Sequence, residues 1–262
     1  MAPASGELDI TRHRNVARFV AGCEPDLIIN AAAYTAVDQA EQERAAAYAL
    51  NTEAVQNLAS LAQERDIRLI HISTDFVFDG QQSRPYRPDD AARPLSVYGD
   101  SKYKGELAVM ASGANAVILR TAWLYSSYGH NFVKTMLRLM RQKEGLSVVC
   151  DQVGTPTWAH NLARLIWQVA HKPEAKGIYH FTDAGVASWY DFAKAIQDEA
   201  LGLKLLDRSI PIEPISSQDY PTPARRPAYS VLDKQATWRD FGLQPQHWRD
   251  ALREMLCGLN SN

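Results

Sequence analysis

The chain has 262 residues, 46% hydrophobic and 22% charged, with a formal net charge of -2. That composition is globular, suffices for a full core in one large or two smaller domains, and favours neither nucleic acid nor a membrane surface as partner. No apolar run approaches the roughly 20 residues that span a bilayer.

Residues 1–7 have no basic or apolar segment of signal-peptide type. Cys23, Cys150 and Cys257 are scattered, odd in number and without metal spacing, so reduced thiols in a cytoplasmic protein are expected. Residues 12–22 carry an apolar stripe of Val16, Phe19 and Val20 and predict a helix. After a break at Pro25-Asp26, residues 27–30 read as a short strand running into Ala31-Ala32-Ala33. Residues 38–64 repeat Ala, Leu and Val at helical spacing. Residues 68–73 are the next strand, with Thr74 at its C-terminal end and Asp79-Gly80 closing the segment. A polar surface loop (81–94), a helix (98–111), a strand (116–120), a helix (131–143) and a strand-like stretch (147–150) follow. Beyond residue 150 the elements shorten: a turn at 154–157, a helix over 158–170, a strand over 177–181, a helix from Ser188 with Asp191 three residues on, an extended stretch at 210–215, a Pro- and Arg-rich run at 218–229, and helices at 234–240 and 245–259.

Alternation of strand and helix up to residue 150 predicts an α/β fold with a parallel sheet covered on both faces, binding ligands outside the C-terminal ends of its strands. Residues 1–150 are expected to form that domain. Residues 151–262 are expected to form mainly a smaller lobe over the site, with some elements returning to the first. Tyr98 and Lys102 stand four apart and share a helix face. Together with Thr74 they can serve proton transfer to a carbonyl. Duller readings fit other groups: His71 as a satisfied core histidine, His130 as a loop histidine, and Asp38 and Glu41 as the charged first turn of a helix.

Seven segments occur in order: Asn30-Ala-Ala-Ala-Tyr-Thr-Ala-Val-Asp-Gln-Ala-Glu41, Ser73-Thr-Asp-Phe-Val-Phe-Asp-Gly80, Tyr98-Gly-Asp-Ser-Lys102, Arg120-Thr-Ala-Trp-Leu-Tyr125, Gly129-His-Asn-Phe-Val133, Asp151-Gln-Val-Gly-Thr-Pro-Thr157 and Arg226-Pro-Ala-Tyr-Ser230. In this the chain resembles the dTDP-4-dehydrorhamnose reductase family of the extended short-chain dehydrogenases/reductases. The resemblance implies a Rossmann-like sheet with a C-terminal substrate lobe. It also implies reduction, by NADPH or NADH, of the C4 keto group of dTDP-4-dehydro-L-rhamnose to dTDP-L-rhamnose for cell-surface polysaccharide.

By the same resemblance Tyr98 is the general acid, Lys102 holds the nicotinamide ribose and lowers the Tyr98 pKa, and Thr74 orients the sugar carbonyl. Ala33, Tyr34 and Thr35 match the turn that passes the cofactor, and Asp9 and Ile10 match a pair by its adenine end. Asp75 and Trp123 match substrate contacts, and Asn131 and Arg226 match the nucleotide side. Some members bind Mg²⁺ at a subunit contact, but no carboxylate cluster identifies metal ligands here. A monomer or homodimer is expected.

Two positions depart from the family pattern: Phe76 replaces a Tyr and Tyr229 replaces an Asn. In addition, no Gly-x-x-Gly-x-x-Gly turn precedes Asp9. That turn would bring backbone up to the pyrophosphate. Taken literally, the sequence therefore predicts an N-terminally incomplete sheet, weak or absent cofactor binding and low stability. The rival reading is a non-catalytic binding or regulatory subunit of the same fold, or an inactive remnant.

Overall fold

A computed structural model describes Met1, Pro3 and residues 6–260. Helix α1 (His13–Cys23) leads to strand β1 (Leu27–Asn30). Helices α2 (Val37–Ala40) and α3 (Arg44–Tyr48), a π-helical turn (Ala49–Glu53) and α4 (Ala54–Glu64) follow. Strand β2 (Arg68–Thr74) ends in a 3-10 turn (Asp75–Val77), and after a loop come α5 (Val97–Ala111), β3 (Ala116–Thr121), β4 (Leu124–Tyr125) and α6 (Phe132–Gln142). The remainder comprises β5 (Leu146–Val149), β6 (Val153–Gly154), β7 (Thr157–Trp158), α7 (Ala159–Ala170), β8 (Gly177–His180), β9 (Ala187–Ser188), α8 (Trp189–Gly202), β10 (Ile212–Ile215), α9 (Gln235–Phe241) and α10 (Trp248–Asn260). Among the described residues no helix is long and apolar enough to cross a membrane.

Four strands form one parallel sheet in the order β1-β2-β3-β8. Both central strands are buried almost throughout, which is why β2 and β3 read as near-continuous apolar runs. Leu69 and Ile118 meet α1 and α4 through Val16, Val20, Leu58 and Leu61 on one face. On the other face Ile70, Val117 and Leu119 meet Leu162 and Leu165 of α7 and Phe241 of α9. A separate core joins α6, α8 and α10 through Met136, Met140, Phe192, Ile196 and Leu252.

The structure departs from the pattern reading in two places. The helix expected over residues 38–64 is broken, because polar side chains around the break have partners elsewhere. Glu41 Oε1 accepts from the Val97 N–H at 2.8 Å, and Glu43 accepts from the Tyr34 hydroxyl at 2.8 Å. Further on, the π-helical turn carries Asn51, which accepts from Tyr34 N at 2.8 Å and donates to Ser101 Oγ at 3.0 Å. The second departure concerns β5. It pairs with β10 rather than with the main sheet, because Val148 packs into the α6–α8 core. The N-terminus expected at Ser188 is present as a full capping box with Asp191.

A buried ion pair clamps α5 to the sheet. Arg120 (2% exposed) donates to Glu106 (0% exposed) from Nη2 at 2.7 Å and Nε at 3.0 Å. Ser73 Oγ also donates to Glu106, and Arg120 Nη1 donates to the Pro88 carbonyl at 3.2 Å. Removing one partner leaves the other charge uncompensated. Glu106→Gln is therefore expected to cost about 3–5 kcal/mol, measured by urea denaturation. A loss below 1 kcal/mol would show that the pair does not secure α5.

Candidate active site

Thr74 ends β2 beside Thr121, the last residue of β3, so both hydroxyls lie at the C-terminal edge where parallel α/β sheets bind ligands. Thr74 Oγ accepts from Phe76 N at 3.2 Å and starts the 3-10 turn. Helix α5 begins at the Ser96 cap, whose Oγ accepts from Gly99 N at 3.2 Å. Gly99 permits the approach that follows: a Cβ there would lie 2.2 Å from the Phe76 carbonyl oxygen. Only a glycine lets the first turn of α5 close on the exit of β2.

That closure aims Tyr98 at Thr74. One turn on, Lys102 (2% exposed) donates from Nζ to the Ile72 carbonyl at 2.6 Å. The helix face expected from the spacing thus lies along the end of β2. Phe76, the departure from the family pattern, sets its ring edge-on to Tyr98 with centroids 5.5 Å apart. Tyr229 packs by Tyr86 at 6.5 Å.

The electrostatics differ from the expectation that Lys102 lowers the Tyr98 pKa. Burial pushes the Tyr98 phenol up to about 12; the Thr74 hydroxyl opposes this and the Asp75 carboxylate reinforces it. Lys102 does not offset the burial here, because its ammonium is turned to Ile72 and is itself lowered to about 8 by burial, against the pull of Glu106. Asp75 (2% exposed) is raised to about 6 by burial, with the Ser230 and Thr74 hydroxyls acting the other way.

The remaining sequence-derived residues fall in three places. Ala33, Tyr34 and Thr35 form the turn after β1, held through Tyr34 by Asn51. Asp9 accepts from Thr11 N and Oγ1 and pairs with Arg12 at 3.4 Å, and Ile10 packs beneath α1 and α4. On the side of the second core, Trp123 has a left-handed backbone (φ 49) and stacks on Trp189 with centroids 3.5 Å apart and planes 7° apart. A bulky residue held in that region is a genuine outlier and marks strain of the kind stored at functional sites. Asn131 caps α6 through Lys134 N at 3.2 Å. Arg226 is bidentate to Asp38, at 2.7 and 3.0 Å, and so ties the second half of the chain to the turn region after β1.

Sequence reasoning missed Asn51, Ser230, Trp189 and the Glu106–Arg120 pair. Glu106 left a signal, four residues after Lys102 on the same helix face, and Arg120 and Ser230 bound two of the seven ordered segments. Asp38 lies in the first turn of α2, as its charge suggests, and also meets Arg226, while Glu41 follows α2 and reaches Val97 N. His71 is fully buried and Asn30 Nδ2 meets its Nδ1 at 3.1 Å, but Nε2 has no partner, so it is only half satisfied. Among the described residues no three His, Cys, Asp or Glu side chains come together as metal ligands.

An ammonium has three donors. Lys102 spends one on Ile72, leaving two for ribose hydroxyls, so the residues present fit the nicotinamide-ribose half of a dinucleotide. A parallel α/β sheet with threonine at a strand end and tyrosine and lysine on the adjoining helix defines the short-chain dehydrogenase/reductase class. The chain belongs to the RmlD substrate binding domain family, which matches residues 1–260.

A dTDP-4-dehydrorhamnose reductase of Aggregatibacter actinomycetemcomitans is 45% identical over 254 residues, spanning 95% of this chain and 86% of that one. A probable dTDP-4,6-dihydroxy-2-methyloxan-3-one 4-ketoreductase of Streptomyces antibioticus is 44% identical over 250 residues, spanning 94% and 82%. The crystal structure of a dTDP-4-dehydrorhamnose reductase from Bacillus anthracis in complex with NADP superimposes with a TM-score of 0.92 at 37% identity, covering 98% of this chain and 89% of that one.

Burying Lys102 has a stability cost with a definite pH dependence. Its folded pKa, about 8, lies below the usual 10.5. Between those values the unfolded chain binds more protons, so this group's contribution rises with pH. Lys102→Met is expected to stabilise the fold at pH 7 by on the order of 1–3 kcal/mol, with the advantage shrinking from pH 8 to 10. Thermal unfolding across that range checks it; a Tm difference independent of pH would contradict it.

Proposed function

We propose that the chain reduces the C4 keto group of dTDP-4-dehydro-L-rhamnose to give dTDP-L-rhamnose for cell-surface polysaccharide. The observation carrying this reading is the convergence of Tyr98 and Thr74 at the end of β2 with Lys102 one turn behind. NADPH or NADH supplies the hydride when bound. A carbonyl that receives a hydride needs a proton on its oxygen, and Tyr98 donates it from a position fixed by α5. Thr74 orients the carbonyl, and the protonated Lys102 holds the ribose through the donors that Ile72 leaves free.

Asp75 and Trp123 contact the sugar in this reading, and Asn131 and Arg226 lie toward the nucleotide. Ala33, Tyr34 and Thr35 line the cofactor, with Asp9 and Ile10 toward its adenine. Residues 1–150 act as the cofactor domain and residues 151–262 mainly as the substrate lobe, in a cytoplasmic monomer or homodimer. The rival non-catalytic reading is not favoured, since it gives no reason for a tyrosine, a threonine and a buried lysine to converge on one strand end.

Tyr98→Phe removes the proton and little else. Turnover with dTDP-4-dehydro-L-rhamnose is expected to fall by on the order of 10²–10⁴-fold, read as loss of NADPH absorbance. The Tm should stay close to that of the parent, and NADPH affinity, read by fluorescence titration, within a few-fold. Retained turnover would remove Tyr98 from the role of acid.

A further inference from the structure

Trp123 keeps a left-handed backbone (φ 49), which a bulky residue does only where its surroundings impose it. We propose that Trp189 is the positioning residue that imposes it: its indole fixes the ring plane of Trp123, and with it the wall against which the deoxysugar lies. This rests on the reductase reading above, in which Trp123 contacts the sugar.

Trp123 stands two residues beyond Thr121, so it leaves the sheet edge that presents Thr74. Its backbone is pinned at the carbonyl, which accepts from Thr157 N at 3.1 Å, and Leu124 pairs with Thr157. Its ring is held by β6 and β9, which pair antiparallel with Gly154 opposite Ala187 and Val153 opposite Ser188. Strand β6 supplies a gap: a Cβ on Gly154 would lie 2.8 Å from Trp123 Cε2 and 2.9 Å from Nε1. Strand β9 runs straight into Trp189, the first residue of α8, whose ring lies 3.5 Å from that of Trp123 at 7°. One strand pair thus provides both the space for the edge of the Trp123 indole and the plate against its face. The same point above Gly154 lies 3.0 Å from Ser230 Oγ, and the Ser230 hydroxyl faces Asp75. The indole edge and the Asp75 carboxyl therefore flank one serine beside the end of β2.

Trp189 is itself fixed. Ser188 Oγ accepts from Asp191 N at 3.0 Å and Asp191 Oδ2 accepts from Ser188 N at 2.9 Å, which sets where α8 begins. Phe132 packs on the Trp189 ring with centroids 4.7 Å apart. Aromatic pairs left to themselves prefer offset or edge-on contact, so a nearly parallel pair at 3.5 Å is held by its neighbours. Both indoles are half-buried, at the border of the core that joins α6, α8 and α10. A packing position there needs volume, whereas a parallel stack needs a flat face, and that difference separates positioning from packing.

Kinetics and fluorine NMR test the role. Trp189→Met keeps apolar volume without a flat face. It is expected to raise KM for dTDP-4-dehydro-L-rhamnose by on the order of 10-fold, with kcat and the KM for NADPH within a few-fold of the parent. Trp189→Phe keeps a flat ring and should recover most of the loss. In a Trp123→Ala background Trp189→Met should raise KM no further, because residues that act through one another do not add. In the ligand-free chain labelled with 5-fluorotryptophan, the Trp123 line is identified by its loss in Trp123→Phe. That line should shift in Trp189→Phe, and shift and broaden in Trp189→Met. A parent-like sugar KM in Trp189→Met would overturn the proposal. So would an equal rise in the Trp123→Ala background, which would mean that Trp189 acts by another route. A Trp123 line unmoved in Trp189→Phe would overturn it even if Trp189→Met did not fold. A parent chain that neither reduces the keto sugar nor binds dTDP-L-rhamnose in calorimetry would instead sink the functional reading, and the fluorine line then decides the Trp189–Trp123 coupling separately.

Discussion

The closure of α5 onto the end of β2 is the constraint on which the site depends. Three contacts at successive turns of the helix hold it. At the first turn the Gly99 backbone meets the Phe76 carbonyl. One turn later the Lys102 ammonium is bound to the Ile72 carbonyl, and a further turn on Glu106 takes Ser73 and Arg120. Each contact joins the helix to β2, to the turn that ends it or to its neighbour β3, so a shift of the helix would break all three together. Tyr98 directly precedes the first of these contacts, and its position relative to Thr74 follows from them. The clamp has electrostatic consequences: it buries an ammonium, a carboxylate and a guanidinium within two turns. Charge pairing at Glu106–Arg120 offsets part of that cost, while Lys102 bears it with a lowered pKa.

The second half of the chain reaches the same strand end from the other side. Gly80 has a left-handed backbone (φ 75), and a Cβ on it would lie 2.7 Å from Ala228 N. The Pro- and Arg-rich segment can therefore lie directly on the turn that follows β2. From there Ser230 N donates to the Val153 carbonyl at 2.8 Å, and the Ser230 hydroxyl faces Asp75. Arg226 meanwhile grips Asp38. The site is thus closed by contacts between residues some 190 positions apart in the chain, as the hydrogen bond between Arg226 and Asp38 illustrates.

Much of this was legible in the sequence, for physical reasons. Tyr98 and Lys102 announce themselves because a helix brings residues four apart onto one face, and Thr74 because a buried strand ends where its apolar run meets a polar turn. The alternation of strand and helix carried the sheet, and Ser188 with Asp191 carried a helix start. What was not legible depends on contacts between distant segments. Asn51 looks like one more polar residue in a long helix, and only the placement of Tyr34 and Ser101 around it explains the π-helical turn. Strand β5 has the pattern of a sheet strand, and its true partner, β10, lies more than sixty residues on. Asp38 and Glu41 suit a helix start on charge alone, and Asp38 does occupy the first turn of α2, but charge gives no sign that it pairs with Arg226 or that Glu41 reaches Val97. The direction of the Tyr98 shift was misread because spacing reports proximity to a lysine but not burial, nor the carboxylate of Asp75.

The place of β8 at the edge of the main sheet bears on how the chain acquires its fold. Strand β3 pairs with β8 across about sixty residues, and the Arg68 guanidinium at the start of β2 donates to the carbonyls of Val169, Ala170, Lys172 and Ala175. The sheet that presents Thr74 is therefore finished by strands and carbonyls made late in synthesis. Parallel pairing over such distances must meet the entropy of loop closure before its contacts repay it, which makes it slow. During translation β3 emerges well before β8, and until α7 and α9 follow, the face of β2 and β3 that they cover is left to solvent. The protonation site, though clamped within the first half of the chain, is thus closed over only as the second half docks.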